Sequence, residues 1–152
     1  MNFLDIAKEE ARIAMSKGEI PIGVVIVKDN IVISKAHNLK ETLNDVTAHA
    51  EILAIRKASK VLNDWRLKGA EMYVTLEPCS MCASAIIQSR ISKLHIGTFN
   101  KDMGACGSVI NLIDSRKLDS FVNVNWLYDD ECSKLLMEFF QLKRKLNKNK
   151  LL

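Results

Sequence analysis

Four side chains have the types and spacings to do chemistry together. His49 and Glu51 stand two residues apart in His49-Ala50-Glu51, and Cys79 and Cys82 lie in Pro78-Cys79-Ser80-Met81-Cys82. One imidazole and two sulfurs are zinc donors, and three such ligands leave the fourth tetrahedral position open. An open position separates a catalytic zinc from a structural one, and a water there is acidified towards a pKa of about 7. A partly desolvated carboxylate nearby, Glu51, can take a proton from that water, pass it to a substrate nitrogen and then protonate a leaving amine. Those proton moves amount to hydrolytic deamination of an amidine-like carbon in a nucleobase ring.

Other readings of the same residues differ in what they leave unexplained. C-x-x-C alone also fits a structural zinc, a redox pair or simple burial. A structural zinc needs a fourth Cys or His at motif spacing, and His37 and His95, the remaining histidines, lack that spacing. A thioredoxin-like pair leaves His49-Ala50-Glu51 unexplained. A zinc-stabilised RNA-binding module without turnover requires no carboxylate beside the ligands, so Glu51 argues against it.

Several elements must position these groups. Apolar residues at Phe3, Leu4, Ala7, Ala11, Ala14 and Met15 follow a helical period, and Gly18 is a stop signal. Residues 20–28 and 31–36 are β-branched runs, joined by Asp29-Asn30, a pair that tolerates positive φ in a tight hairpin. Thr47 suits the N-cap of a helix running through Glu51, Ile52, Ile55 and Ala58. Residues 71–76 read as a buried strand, and Pro78 suits the start of a helix carrying both cysteines on one face. Thiols in a first helical turn are favoured as thiolates. Further strands are expected at 94–97 and 121–124, separated by a polar loop through Gly104 and Gly107. A basic C-terminal helix of about 129–147 closes the chain, with Cys132, Leu135, Leu136, Phe139 and Phe140 at apolar positions. Strands alternating with helices predict a layered α/β fold with helices on both sheet faces.

The 152 residues fit one domain spanning 1–152, and 48% hydrophobic with 26% charged residues is ordinary for a globular chain. The longest apolar stretch, residues 20–27, is too short to cross a bilayer. Asp5, Glu9 and Glu10 occupy the N-terminal stretch where a signal peptide would be basic, so the cytoplasm is the expected compartment. Cys106 and Cys132 are expected to be buried rather than disulfide-bonded. Of the net charge of +4, the cationic part sits in residues 141–152, where Lys143, Arg144, Lys145, Lys148 and Lys150 meet no acidic residue. Such a run can contact phosphates, or it can simply favour a helix C-terminus.

Together these residues resemble the tRNA adenosine deaminases within the cytidine-deaminase-like superfamily, whose H-x-E and P-C-x-x-C signature is known. The resemblance runs through Glu19-Ile20-Pro21-Ile22-Gly23, Ala36-His37-Asn38, Thr47 to Glu51, Trp65-Arg66-Leu67, Tyr73 to Cys79 and Met81-Cys82-Ala83. It continues at Gly107-Ser108, Asn111-Leu112 and Glu131-Cys132 through Phe139-Phe140. The chain departs from the family pattern at Val46, Ser84, Asn100-Lys101-Asp102, Asp119-Ser120 and Gln141. The resemblance implies a three-layer α/β/α sandwich with a five-stranded mixed sheet, and a homodimer with one zinc per subunit held by His49, Cys79 and Cys82. It implies that Glu51 shuttles protons while the wobble adenosine of a tRNA anticodon stem-loop becomes inosine. Asn38 matches a position that hydrogen-bonds the flipped base, and Ile22 one that packs near it. Phe139 or Phe140, with Lys143 and Arg144 of the basic helix, would meet the RNA. A deaminase of a free nucleobase such as guanine or cytosine shares the metal motif and is the alternative.

Overall fold

A computed structural model describes residues 2–150; Met1, Leu151 and Leu152, the last two being the end of the basic run, lie outside the described residues. The elements are α1 (Phe3–Ser16), β1 (Gly23–Lys28), β2 (Ile31–His37), α2 (Ala50–Leu62), β3 (Ala70–Leu76), α3 (Ser80–Gln88), β4 (Lys93–Thr98), β5 (Asn123–Trp126) and α4 (Asp130–Lys150). The strands form one mixed sheet in the order β2-β1-β3-β4-β5. β1 runs antiparallel to β2 and β3, while β3, β4 and β5 are mutually parallel.

Side-chain alternation along β1 divides the core. Val24 and Ile26 point into a cluster with Ala54 and Ala58 of α2 and Ala83 and Ile86 of α3. Val25 and Val27 point the other way, to Leu4 and Ala7 of α1 and Cys132 of α4. The sheet is therefore buried on both faces, which explains why β1 is a continuous apolar run. Asp29 and Asn30 turn the β1–β2 hairpin with φ of 52° and 62°, the mirror-image turn that matches strand twist. Gly23 lets α1 lie directly on the sheet, because a Cβ there would fall 1.9 Å from the Ala7 carbonyl oxygen.

Local expectations shift at several boundaries. β1 starts at Gly23 rather than at residue 20, and β2 and β4 each extend to include His37 and Thr98. Thr47 does not cap α2; its Oγ1 donates to Asp45 Oδ1 at 2.7 Å, and His49 is the N-cap. Pro78 stays outside α3, whose N-cap is Cys79. The last strand is Asn123–Trp126 rather than 121–124, and Phe121 is left 81% exposed. Pairing with β4 from Lys93↔Asn123 to Ile96↔Trp126 sets that register. α4 begins at Asp130 and runs to Lys150, and Asp129 Oδ1 accepts the Cys132 amide at its start. Cys106 and Cys132 are buried free thiols, as expected.

Candidate active site

Two helix starts meet at the site. β2 ends at His37, and the chain returns through a loop to place His49 at the N-cap of α2. β3 ends at Leu76, and Glu77-Pro78 bring Cys79 to the N-cap of α3, with Cys82 in its first turn. No side-chain capping bond ties His49 to α2, and the Cys79 sulfur faces both Cys82 and His49. His49 Nδ1 lies 3.7 Å from Cys79 Sγ and 3.5 Å from Cys82 Sγ, and all three ligand atoms fall within 4.8 Å of one another. Tetrahedral zinc, with Zn–N of about 2.1 Å and Zn–S of about 2.3 Å, sets N···S separations of about 3.6 Å. The donor set and its spacing fit that metal.

Glu51 is 3% exposed, and its Oε1 is buried without any hydrogen-bond partner. Buried carboxylate oxygens are rarely left this way in a fold. Glu51 also lies close enough to His49 and Cys79 for their charges to act on its carboxyl.

Charge in the cluster is crowded. The Cys82 thiol donating to Cys79, against opposition from burial and with help from His49, draws the Cys79 thiol down to about 4. Cys82 moves up, because of its bond to Cys79, its burial and the nearby Glu51 charge. The bond to Cys79 also raises His49, against burial and with help from Glu51. Burial pushes the Glu51 carboxyl up, and the Cys79 charge adds to this. A divalent cation bound there would favour the thiolate form of both cysteines.

Two further buried carboxylates build the walls, and sequence reasoning assigned neither a role. Glu19 accepts the Glu41 amide at 3.0 Å and the Thr42 amide at 2.7 Å, fixing the loop that leads to His49. Burial works against its charge, but the Thr42 and Glu41 bonds outweigh that and hold its carboxyl below the usual range. Glu77 accepts the amides of Asn100, Cys106 and Ser108 at 3.1, 3.0 and 3.1 Å, and the Ser108 hydroxyl as well. The Ala105 amide bonds the Pro78 carbonyl at 2.9 Å, so the loop after β4 is fastened beside Cys79. A Cβ at Gly104 would lie 2.5 Å from Glu77 Oε2, which requires glycine there. The available signal was an acidic residue closing an apolar strand one step before the Pro-Cys pair.

The remaining expected residues are spread more widely. Asn38 is buried in the loop after β2; its Oδ1 accepts the Lys40 amide at 3.1 Å, and its Nδ2 faces the Ile20 carbonyl at 3.5 Å. Ile22 is half-buried against the α2–α3 side of the core. Phe139 is buried with Lys143 Nζ 5.7 Å from its ring centre. Phe140, placed at a core position by periodicity, is instead 42% exposed, because it lies on the outer side of α4. Lys143 and Arg144 are exposed. α4 packs on β4 and α1, across the sheet from α2 and α3. Among the described residues, no hydrogen bond or ion pair joins Phe139, Phe140, Lys143 or Arg144 to the His-Cys-Cys cluster.

A three-layer sandwich with an imidazole at one helix start and two thiols at the next is the architecture of the cytidine-deaminase-like enzymes. Comparison with known proteins narrows the class. A family model of MafB19-like deaminases matches residues 2–144. The tRNA-specific adenosine deaminase of Aquifex aeolicus is 48% identical over 139 residues, covering 91% of this chain and 92% of the relative. That of Bacillus subtilis is 42% identical over 147 residues, covering 96% and 91%. A solved structure from work on A-to-I editing by tRNA:A34 deaminases at the wobble position superposes with a TM-score of 0.85 at 42% identity, covering 88% of this chain and 98% of that one. A guanine deaminase from Bacillus subtilis gives a TM-score of 0.64 at 40% identity, covering 67% and 68%. This chain belongs to the family of tRNA-specific adenosine deaminases.

Proposed function

We propose that this protein converts adenosine to inosine at the wobble position of a tRNA anticodon, using one zinc per subunit held by His49, Cys79 and Cys82. The observation that carries the chemistry is the unpartnered Oε1 of Glu51, buried beside three converging metal donors. The substrate follows from the likeness to tRNA-specific adenosine deaminases along nearly the whole chain. Zinc, when bound, acidifies water and so supplies the nucleophile at neutral pH. Glu51 takes one proton from the attacking water and delivers it to a ring nitrogen, then takes the second from the hydroxyl left on the carbon and gives it to the departing amine. Water and adenosine give inosine and ammonia, and Glu51 ends as it began. The reacting base must leave its stack to reach this depth. Asn38 turns a polar edge to it and Ile22 packs beside it, while the exposed Phe140, Lys143 and Arg144 meet the surrounding RNA.

The whole chain acts as one catalytic domain. A homodimer is supported by the half-buried Ile52, Ile55 and Met81 along the groove between α2 and α3, and sedimentation tests it. Four free cysteines suit a reducing compartment, the cytoplasm. No helix among the described residues is long and apolar enough to cross a membrane.

The guanine deaminase likeness favours one second reading, turnover of a free base. Both are tested by incubating zinc-loaded protein with an anticodon stem-loop bearing a wobble adenosine, and in parallel with guanine and cytosine. Inosine in the sequenced product supports the proposal. Ammonia from a free base with none from RNA replaces it by the second reading.

A further inference from the structure

We infer that Phe99, Trp126 and Tyr128 form a stacking platform for the nucleotide next to the reacting adenosine. This rests on the RNA-substrate reading above and adds a surface to it. Phe99 and Tyr128 are 49% and 65% exposed, and Trp126 is half-buried. Their rings form one cluster: Phe99 lies 4.8 Å from Trp126 and 5.6 Å from Tyr128, and Trp126 lies 6.3 Å from Tyr128 at an interplanar angle of 22°.

Three observations join this cluster to the site. First, β3, β4 and β5 are parallel and end at the same edge of the sheet. Cys79 follows the end of β3, Phe99 follows the end of β4, and Trp126 closes β5. Second, Trp126 packs on the α2–α3 side of the core, the side that holds His49 and both cysteines, whereas Leu127 packs on the α1 side. Third, the loop between them is fastened at both ends of the path. The Asn100 amide bonds Glu77, the Ala105 amide bonds Pro78, and a Cβ on Gly107 would sit 3.9 Å from Trp126 Cζ2. The rings are therefore held against the loop that is fastened to Glu77 and Pro78, the two residues before Cys79.

Tyr128 adds a separate argument. Its backbone has a φ of 50°, a conformation that costs a bulky residue free energy and persists at functional positions. A ring that is two-thirds exposed returns little burial for that cost, so core packing does not account for it.

The occupant follows from the reaction. Drawing one base out of its stack leaves its neighbour with an uncovered face. Aromatic side chains cover such faces, tolerate any base and are the usual device for single-stranded RNA. Lys101, exposed two residues beyond Phe99, stands within the same loop to meet a phosphate.

The test measures steady-state kinetics on the anticodon stem-loop for Phe99→Ala, Tyr128→Ala and Tyr128→Phe, with zinc content and oligomeric state checked for each. Losing one stacking ring is expected to raise KM about tenfold, with kcat changed less than about twofold. Tyr128→Phe keeps the ring and should restore KM. In a Trp65→Phe background, Trp126 is the sole tryptophan, and stem-loop binding should quench its emission. Unchanged KM and unquenched emission, with active wild-type protein, overturn the platform. A shift in oligomeric state without a KM change also overturns it, making the cluster a contact between copies of this chain. If wild-type protein converts no RNA, the substrate reading fails by itself. The platform is then decided by quenching alone: quenching supports it and no quenching overturns it.

Discussion

Three buried glutamates near the site differ in how many partners they have, and that difference separates their work. Glu77 and Glu19 have donors on their carboxylates and hold loops. Glu51 has an oxygen with none. Glu51→Gln should therefore retain zinc and a native unfolding midpoint while lowering turnover by about 10³-fold, read by metal analysis and inosine formation. Equal activity in that variant would show that the proton carrier lies elsewhere. Glu77→Gln keeps the shape but turns one acceptor into a donor facing amides. It should cost about 2 kcal/mol in urea unfolding, with zinc retained. The grouping of His49, Cys79 and Cys82, with Glu51 buried nearby, was legible because metal-binding chemistry demands particular residue types at particular spacings. The roles of Glu19 and Glu77 were not, because their partners are backbone amides, which any sequence supplies. Phe99 and Tyr128 were hidden for a related reason: only the strand register brings residues so distant in sequence together.

Among the elements, α1 is the clamp. Its backbone touches the sheet at Gly23, and Gly23→Ala should destabilise by about 3 kcal/mol or more, since the intruding methyl meets backbone rather than a movable side chain. α1 also fixes the start of α4: the buried Lys8 ammonium bonds Glu131 at 2.8 Å, Asp5 at 3.0 Å and Asp129 at 3.1 Å. Burial opposes its charge, but the bonds to Glu131, Asp5 and Asp129 outweigh that and raise it. Lys8→Met should cost about 2 kcal/mol by urea unfolding, since breaking a buried pair leaves its partners unmatched. Order and type of the elements were readable from hydrophobic period. Their ends were not. Thr47 has cap chemistry, yet Asp45 takes its hydroxyl, and β5 slides two residues because pairing with β4 outweighs local propensity.

For the whole molecule, metal and protons should both register in stability. A chelator should lower the unfolding temperature by about 5 °C or more, and added zinc should restore it, because the folded state alone gathers all three donors. In acid, Asp129 and Glu19 matter. Burial opposes the charge of each, but backbone amides to both, and Lys8 to Asp129, outweigh it and hold both carboxyls below their ordinary values. Their contribution is complete above about pH 5 and is lost as pH falls through the depressed values. Lys8, being raised, keeps its contribution through neutrality and loses it only in strong alkali. Urea midpoints at pH 7 and pH 3 should fall in acid, and fall less for Lys8→Met. A flat profile would contradict the assignment.

The three metal donors all lie between residues 49 and 82, before β4, β5 and α4 in the chain. During synthesis the ligand set is therefore complete on the ribosome while the loop after β4, the aromatic cluster and the basic helix are still to be made. A nascent chain can capture its metal with α1, β1, β2, α2 and β3 already available to hold the helix starts together. A metal captured at that point would be in place before the loop after β4, the aromatic cluster and the basic helix are added, and a translation pause after α3 would favour the loaded form.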